Sequence, residues 1–259
     1  MLGAIAGDII GSVHEYLGIK TRDFPLFVPR SQFTDDSVLT VAVADGVLTG
    51  TPYLDKFHEY GQHYPNAGYG LSFARWLESG SRKPYNSWGN GSAMRVSPIG
   101  FAFNSLFEIL EEAKRSAEVT HNHPEGIRGA QATASAIFMA RQGKTKEEIR
   151  NFIEQTFHYD LSRPCDEIRP DYSFNESCQG TVPEAITAFL DSTGYEDAVR
   201  LAVSLGGDAD TLACIAGGIA EAFYGGVPKS IADRAIELLD ERLKNVLDRF
   251  YWKYALRRL

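Results

Sequence analysis

Two short clusters of hard oxygen donors hold the residues of this 259-residue chain best suited to chemistry. One is Thr34-Asp35-Asp36; the other is Asp208-Ala209-Asp210-Thr211, preceded by Gly206-Gly207. Each sets two carboxylates and a threonine hydroxyl within about one turn of an expected helix start. Acids and threonines are also preferred there as caps and as partners of the helix dipole, so either cluster alone reads equally well as a cap. The duplication changes the weighing. One cap is enough for a helix, yet each cluster supplies two acids, and no lysine or arginine adjoins either of them. Four carboxylates and two hydroxyls, with no histidine or cysteine among them, suit Mg²⁺, Mn²⁺ or Ca²⁺ over zinc. If the two helix starts converge, the product is a two-metal site with ions about 3.5–4 Å apart.

Other segments carry weaker signals. The loop Asn86-Ser87-Trp88-Gly89-Asn90-Gly91-Ser92 suits a diphosphate, because glycines admit close backbone approach and successive N–H groups form a positive concavity. Most Gly/Asn/Ser loops are simply turns, and no GK[ST] follows to make this one a Walker loop. His121 and His123 are spaced as a zinc pair, but no third histidine or cysteine stands near, so a hydrogen-bonding pair at a helix end is the better reading. Glu15 alone reads as a solvated helix-end acid, and Asp8 as a structural acid that hydrogen-bonds a neighbouring helix end. Tyr16, Phe24 and Tyr69 are candidate walls for a base, although at 12% aromatic content core packing is the commoner role.

The elements that must position these groups are helical. Leu2, Ile5, Ile9, Val13 and Tyr16 recur at helical spacing over 2–16, and Gly3, Gly7 and Gly11 form a stripe without side chains that another helix can approach. Asp8 and Glu15, seven apart, then share one face. Loop is expected over 17–33, a helix over 34–48, and a mobile, Gly- and Pro-bearing stretch over 50–70. A short helix near 71–79 leads into a second loop, 81–98, in which Met94 and Arg95 open a supporting helix. Helices follow over 105–120, 124–142, 145–156, 181–191, 195–204, 210–224 and 228–257, broken by an irregular segment over 158–180. The pattern predicts one compact all-α domain over residues 1–259, with function on its long loops.

Composition narrows the class. Apolar residues make up 44% of the chain and charged residues 23%, and the net charge is −8. That balance argues against a nucleic-acid or anionic-membrane surface, both of which need clustered Lys/Arg. Three widely spaced cysteines, Cys165, Cys178 and Cys214, fit reduced thiols in a cytoplasmic protein. The N-terminus lacks a basic region and carries Asp8 and Glu15, unlike a signal peptide, and no apolar run is long enough to span a bilayer.

Taken together, the motifs resemble the ADP-ribosylglycohydrolases of the dinitrogenase-reductase-activating type. The matching pieces are G-x-x-x-G-D-x-x-G-x-x-x-E at 3–15, F-T-D-D at 33–36, G-N-G-S-A-M-R at 89–95, T-H-N-H at 120–123, S-C-Q-G-T-V-P at 177–183 and G-G-D-A-D-T at 206–211. The resemblance implies an all-α orthogonal helical bundle with a binuclear magnesium centre in a central cleft, where Mn²⁺ can substitute. It implies that Thr34, Asp35 and Asp36 bind one side of that centre and Asp208, Asp210 and Thr211 the other. It makes Glu15 a gating or metal-linked acid, and Asn86, Ser87, Trp88, Gly89, Asn90 and Gly91 a pyrophosphate- and ribose-binding loop. Met94 supports that loop, His121 approaches the bound ADP-ribose, and the large ring of Trp88 narrows the groove. The implied reaction is hydrolysis at an anomeric carbon through an oxocarbenium-like state. Asp36, or failing that Asp35, takes the proton of the attacking water. The leaving group is a guanidine of arginine or a hydroxyl of serine or threonine, on an ADP-ribosylated protein or small molecule, and the expected assembly is a monomer. Two rivals stay open: a catalytically silent ADP-ribose-binding module, against which the complete set of acids argues, and a two-metal phosphoesterase.

Overall fold

Three glycines decide how this chain begins to pack. In the computed structural model, which describes residues 1–254, α1 (Leu2–Gly11) is buried along its whole length. The helices that follow are α2 (Asp35–Thr49), α3 (Tyr53–His63), α4 (Leu71–Glu78), α5 (Gly91–Met94), α6 (Ser97–Ala102), α7 (Leu106–Glu118) and α8 (Pro124–Arg141). The second half contains α9 (Lys146–Phe157), α10 (Cys165–Ile168), α11 (Cys178–Asp191), α12 (Tyr195–Ser204), α13 (Ala209–Tyr224), α14 (Lys229–Glu237) and α15 (Glu241–Lys253). Among the described residues the only extended pairing is an isolated antiparallel bridge between Gly89 and Ser177. The all-α expectation holds.

The stripe of α1 lies directly on α13. A Cβ added to Gly3, Gly7 or Gly11 would stand 2.4, 2.1 or 2.5 Å from the carbonyl oxygens of Gly217, Ala213 and Ala209 respectively. Each substitution would therefore drive a methyl into main chain, which is why these positions accept the helix cost of glycine, roughly 1 kcal/mol each against alanine. Around this pair α13 also packs on α8, α11 and α12, and one continuous apolar cluster joins them. Cys165, Cys178 and Cys214 are free thiols inside it. No helix among the described residues is long and apolar enough to cross a membrane.

Five expectations need correction. The irregular segment expected over 158–180 contains α10 and the opening residues of α11. Helix α1 stops at Gly11, and the chain turns through Ser12–Leu17 with short-range bonds such as His14 N to Gly11 O, so Glu15 leaves the face of Asp8. The stretch 50–70 contains α3, whose Tyr53, Phe57 and Tyr60 reach the core despite flanking glycine and proline. The loop 81–98 contains α5 and the start of α6. The single helix expected over 228–257 is two, because Asp240 caps a new one by accepting from Leu243 N at 2.9 Å. Residues 255–257 of that expected helix, and the final residues of the expected 1–259 domain, lie outside the described residues.

Candidate metal centre

Asp8 links the two ends of the site. It sits at mid-height on α1 and accepts from Thr34 N at 3.0 Å, Thr34 Oγ1 at 2.7 Å, Ser37 N at 3.1 Å and the Ser37 hydroxyl. The acid thus ties the start of α2 to α1, as its structural reading anticipates. Because α1 also lies on α13, and Gly11 touches Ala209 and Asp210, the two acidic helix starts are brought to the same end of the same helix. Thr211 Oγ1 donates to Asp36 Oδ1 at 3.4 Å, across 175 residues of sequence.

The donor atoms cluster closely. Ligand atoms of Glu15, Asp208 and Asp210 all lie within 4.8 Å of one another, an arrangement that could hold a metal ion. Two like charges at that spacing repel by roughly 3 kcal/mol at an effective dielectric near 20. Among the described residues no Lys or Arg forms an ion pair with Glu15, Asp35, Asp36, Asp208 or Asp210. Asp36 Oδ2 is buried without a hydrogen-bond partner. The carboxyls respond accordingly. Burial first, and the charges of Asp8 and Asp208 second, push Asp35 up to about 8. Burial, reinforced by neighbouring carboxylates, raises Asp36 and Asp210 well above the carboxylate range. Asp208 and Glu15 are also raised by burial. A divalent cation with oxygen preference answers each of these features, since it neutralises the repulsion and gives the orphaned oxygen a partner.

The 86–92 loop approaches from the other side. Its Asn90 amide donates to Asp208 Oδ2 at 2.7 Å and to Thr181 Oγ1 at 3.1 Å. The loop is pinned by Asn90 N to Glu176 O at 2.8 Å and Cys178 N to Trp88 O at 3.0 Å. Several of its amides are spent inside the protein: Asn86 N on Asn122, Ser87 N on Thr120 O, and Gly89 N on Ser87 Oγ. These internal bonds leave fewer of the loop's amides available than its length suggests. Met94 is buried beneath the loop and Trp88 is exposed.

His121 faces the glycines, its Nε2 lying 3.2 Å from where a Cβ on Gly91 would sit. Burial and the nearby Arg95 hold it well below its usual range, so the ring is neutral. Buried Arg95 stacks over Phe57 at 4.2 Å and donates to Thr120 Oγ1 at 3.0 Å. Thr120 Oγ1 also lies 2.7 Å from His121 Nδ1, which turns the Nε2 edge of the ring toward the loop. The roles of Arg95, Thr120 and Thr181 in orienting His121 and Asn90 are absent from the sequence reading. Each falls inside a matched motif, but Arg95 and Thr181 act on partners 25 and 91 residues away, which the motifs do not reveal. Of the aromatic candidates, Phe24 is buried against His14 and Tyr69 packs on Phe73, whereas Tyr16 stands beside Glu15 in the open.

Comparison with known proteins gives the family. The chain is 28% identical to a Mus musculus protein named ADP-ribosylhydrolase ARH3, with 87% of this chain and 82% of that protein aligned. It is 26% identical to ADP-ribosylarginine hydrolase Tri1 of Pseudomonas putida (strain GB-1), covering 87% of this chain and 69% of that one. A solved structure described as an ADP-ribosylglycohydrolase-related protein complex shares the fold with a TM-score of 0.67 at 23% identity, over 98% of both chains. The model of the ADP-ribosylglycohydrolase family matches residues 1–258, and this chain belongs to that family.

Proposed function

We propose that this protein is a magnesium-dependent hydrolase that cleaves the glycosidic bond between ADP-ribose and a modified side chain, releasing free ADP-ribose. The observation that carries the reading is the meeting of two acidic helix starts, without a neutralising cation, beside a glycine loop held to one of the acids through Asn90. Relatives named as ADP-ribosylhydrolases, one of them for ADP-ribosylarginine, support it. Thr34, Asp35 and Asp36 would hold one side of a pair of hard cations; Asp208, Asp210 and Thr211, with Glu15 from its turn, would hold the other. When bound, such ions supply positive charge for the ribose hydroxyls and lower the pKa of water. The remaining work belongs to the chain. Asp36, whose Oδ2 is free of protein partners, takes the proton of the attacking water, with Asp35 beside it as the alternative base. The 86–92 loop and the Nε2 edge of His121 fix the diphosphate, so that the anomeric carbon is presented to the acids.

Incubation with arginine-, serine- and threonine-linked ADP-ribosyl peptides, with Mg²⁺ or with chelator, tests the reading. Free ADP-ribose released only with metal is the expected result. AMP as product would make the protein a phosphoesterase, and retention of ADP-ribose without release would make it a binding module.

A further inference from the structure

Nearly every cation of this acidic chain has found an acceptor. Among the described residues only Arg30, Arg75, Lys83 and Arg249 offer their charge to no side chain or carbonyl. Arg75 and Lys83 line one cavity of about 480 Å³, together with Ser72, Trp76 and Tyr85. Ser72, Arg75 and Trp76 share one face of α4, and Lys83 and Tyr85 belong to the segment that folds back beside it. Protein groups brace these walls. Trp76 is buried, its indole Nε1 donates to Lys83 O at 2.9 Å, and its ring stacks on His58 with centroids 4.1 Å apart. His58 Nε2 lies 2.9 Å from Ser81 O, and Ser79 Oγ donates to Trp76 O at 2.9 Å.

Two like charges at one cavity repel, and the chain, at net charge −8, has acids to spare for them. Yet Glu78, about one helical turn from Arg75, forms no ion pair with it. An anion from outside answers this arrangement. We propose that the cavity is a phosphate subsite, in which Arg75 and Lys83 hold a phosphate monoester through charge-assisted hydrogen bonds. A dianion matches two cations, and the planar fork of arginine beside the point charge of lysine suits phosphate oxygens. The volume falls in the range of about 300–1,000 Å³ usual for small-molecule sites, so the occupant is an organic phosphate whose body lies along Tyr85. The subsite goes beyond the hydrolase reading, and only one source of its phosphate rests on that reading. The 86–92 loop meets the acids at Asn90; its other end, Asn86, follows Tyr85, whose ring stands 6.0 Å from that of His121. A substrate with its anomeric carbon at the acids and its diphosphate on the loop sends its adenosine toward Tyr85. A phosphate on that adenosine ribose is one source, and a separate phosphorylated small molecule is the other.

Two titrations of the magnesium-loaded protein test the subsite. In the first, the protein is saturated with ADP-ribose, inorganic phosphate is added, and the indole N–H resonance of Trp76 is followed by NMR. That resonance is identified by elimination with Trp88→Phe and Trp252→Phe. It should move saturably in the wild type and in Arg30→Gln, and the apparent Kd should weaken fivefold or more in Arg75→Gln and in Lys83→Gln. No movement, movement without saturation, or equal affinity in all four proteins overturns the subsite. The second titration is calorimetric and compares ADP-ribose with ADP-ribose 2′-phosphate. Tenfold tighter binding of the phosphorylated ligand, lost in Lys83→Gln, assigns the phosphate to the far end of the substrate. Equal binding of the two, with Trp76 still responding to phosphate through Lys83, assigns it to a separate ligand. If ADP-ribose does not bind while phosphate still moves Trp76 through Lys83, the hydrolase reading fails and the subsite stands.

Discussion

The starts of α2 and α13 carry nearly the same residues and use them differently. At α2 the capping needs are met by others: Thr34 accepts from Asp36 N at 3.2 Å, and Asp8 takes the hydrogens of Thr34 and Ser37. Asp35 and Asp36 are surplus to the helix. At α13, Asp208 occupies the cap position but its side chain caps nothing, turning to Asn90 instead. Capping therefore fails to account for Asp35 and Asp36, because the task is already done, and for Asp208, because its carboxylate has turned away, while Asp210 Oδ1 still accepts from Thr211 N at 2.9 Å. Equal composition at two helix starts conceals a stability device at one and an unbonded cap at the other.

The largest effect that would sharpen this contrast comes from Asp210→Asn. It removes a charge from the cluster without changing packing, so turnover should fall a thousandfold or more, about 4 kcal/mol of barrier. In chelator the same variant should melt at a higher temperature than the wild type, because repulsion is relieved. A variant as active as the wild type would return the α13 acids to the role of dipole partners. Asp8→Asn should have the next largest effect, this time on stability. Its amide NH₂ would face groups that are themselves donors, and denaturant unfolding should show a loss of about 2–4 kcal/mol. Asp208→Asn, at a position without a cap bond, should lose less than about 1 kcal/mol while losing activity. Equal losses in the two would break the comparison.

The smallest effect is on pH. The cluster carboxyls have native pKa values raised above their unfolded ones, with Asp35 at about 8. The native state then binds more protons than the unfolded chain above about pH 4. Stability of the metal-free protein is present at low pH and falls as the pH rises toward 8. Melting curves between pH 5 and 8 should show this decline in chelator and a flatter profile in saturating Mg²⁺. A profile that rises in chelator would mean that the acids are already neutralised within the protein.

Much of this was legible in the residues. The paired clusters stood out because acids without cations are costly to bury, and the helices they open begin at Asp35 and Ala209, within a residue of the periodic pattern. Helix α12 matches its expected bounds of 195–204. The glycine stripe announced a close helix contact, though not its partner. What escaped depends on tertiary neighbours. Helix α3 was hidden by the glycine, proline and asparagine beside it, and its Phe57 is held by Arg95 from a distant helix end. The hold of Asn90 on Asp208 spans 118 residues, and the internal use of loop amides follows from pairing with the segment around Glu176. No local periodicity encodes either.

Main chain laid directly on main chain, as Gly7 is on Ala213, leaves α1 and α13 no freedom to slide. Moving the register by one residue would drive the side chains of Ala4, Asp8 and Ser12, or of Leu2, Ala6 and Ile10, into the carbonyls that the glycines now meet. The helix pair acts as a ruler whose divisions are peptide groups, and peptide groups have no rotamers to exchange. The spacing between the two acidic ends is consequently fixed by backbone. If the cluster holds a cation, any accommodation of a smaller or larger one would fall to the Ser12–Leu17 turn, where Glu15 hangs beyond the last glycine and outside the ruler's grip.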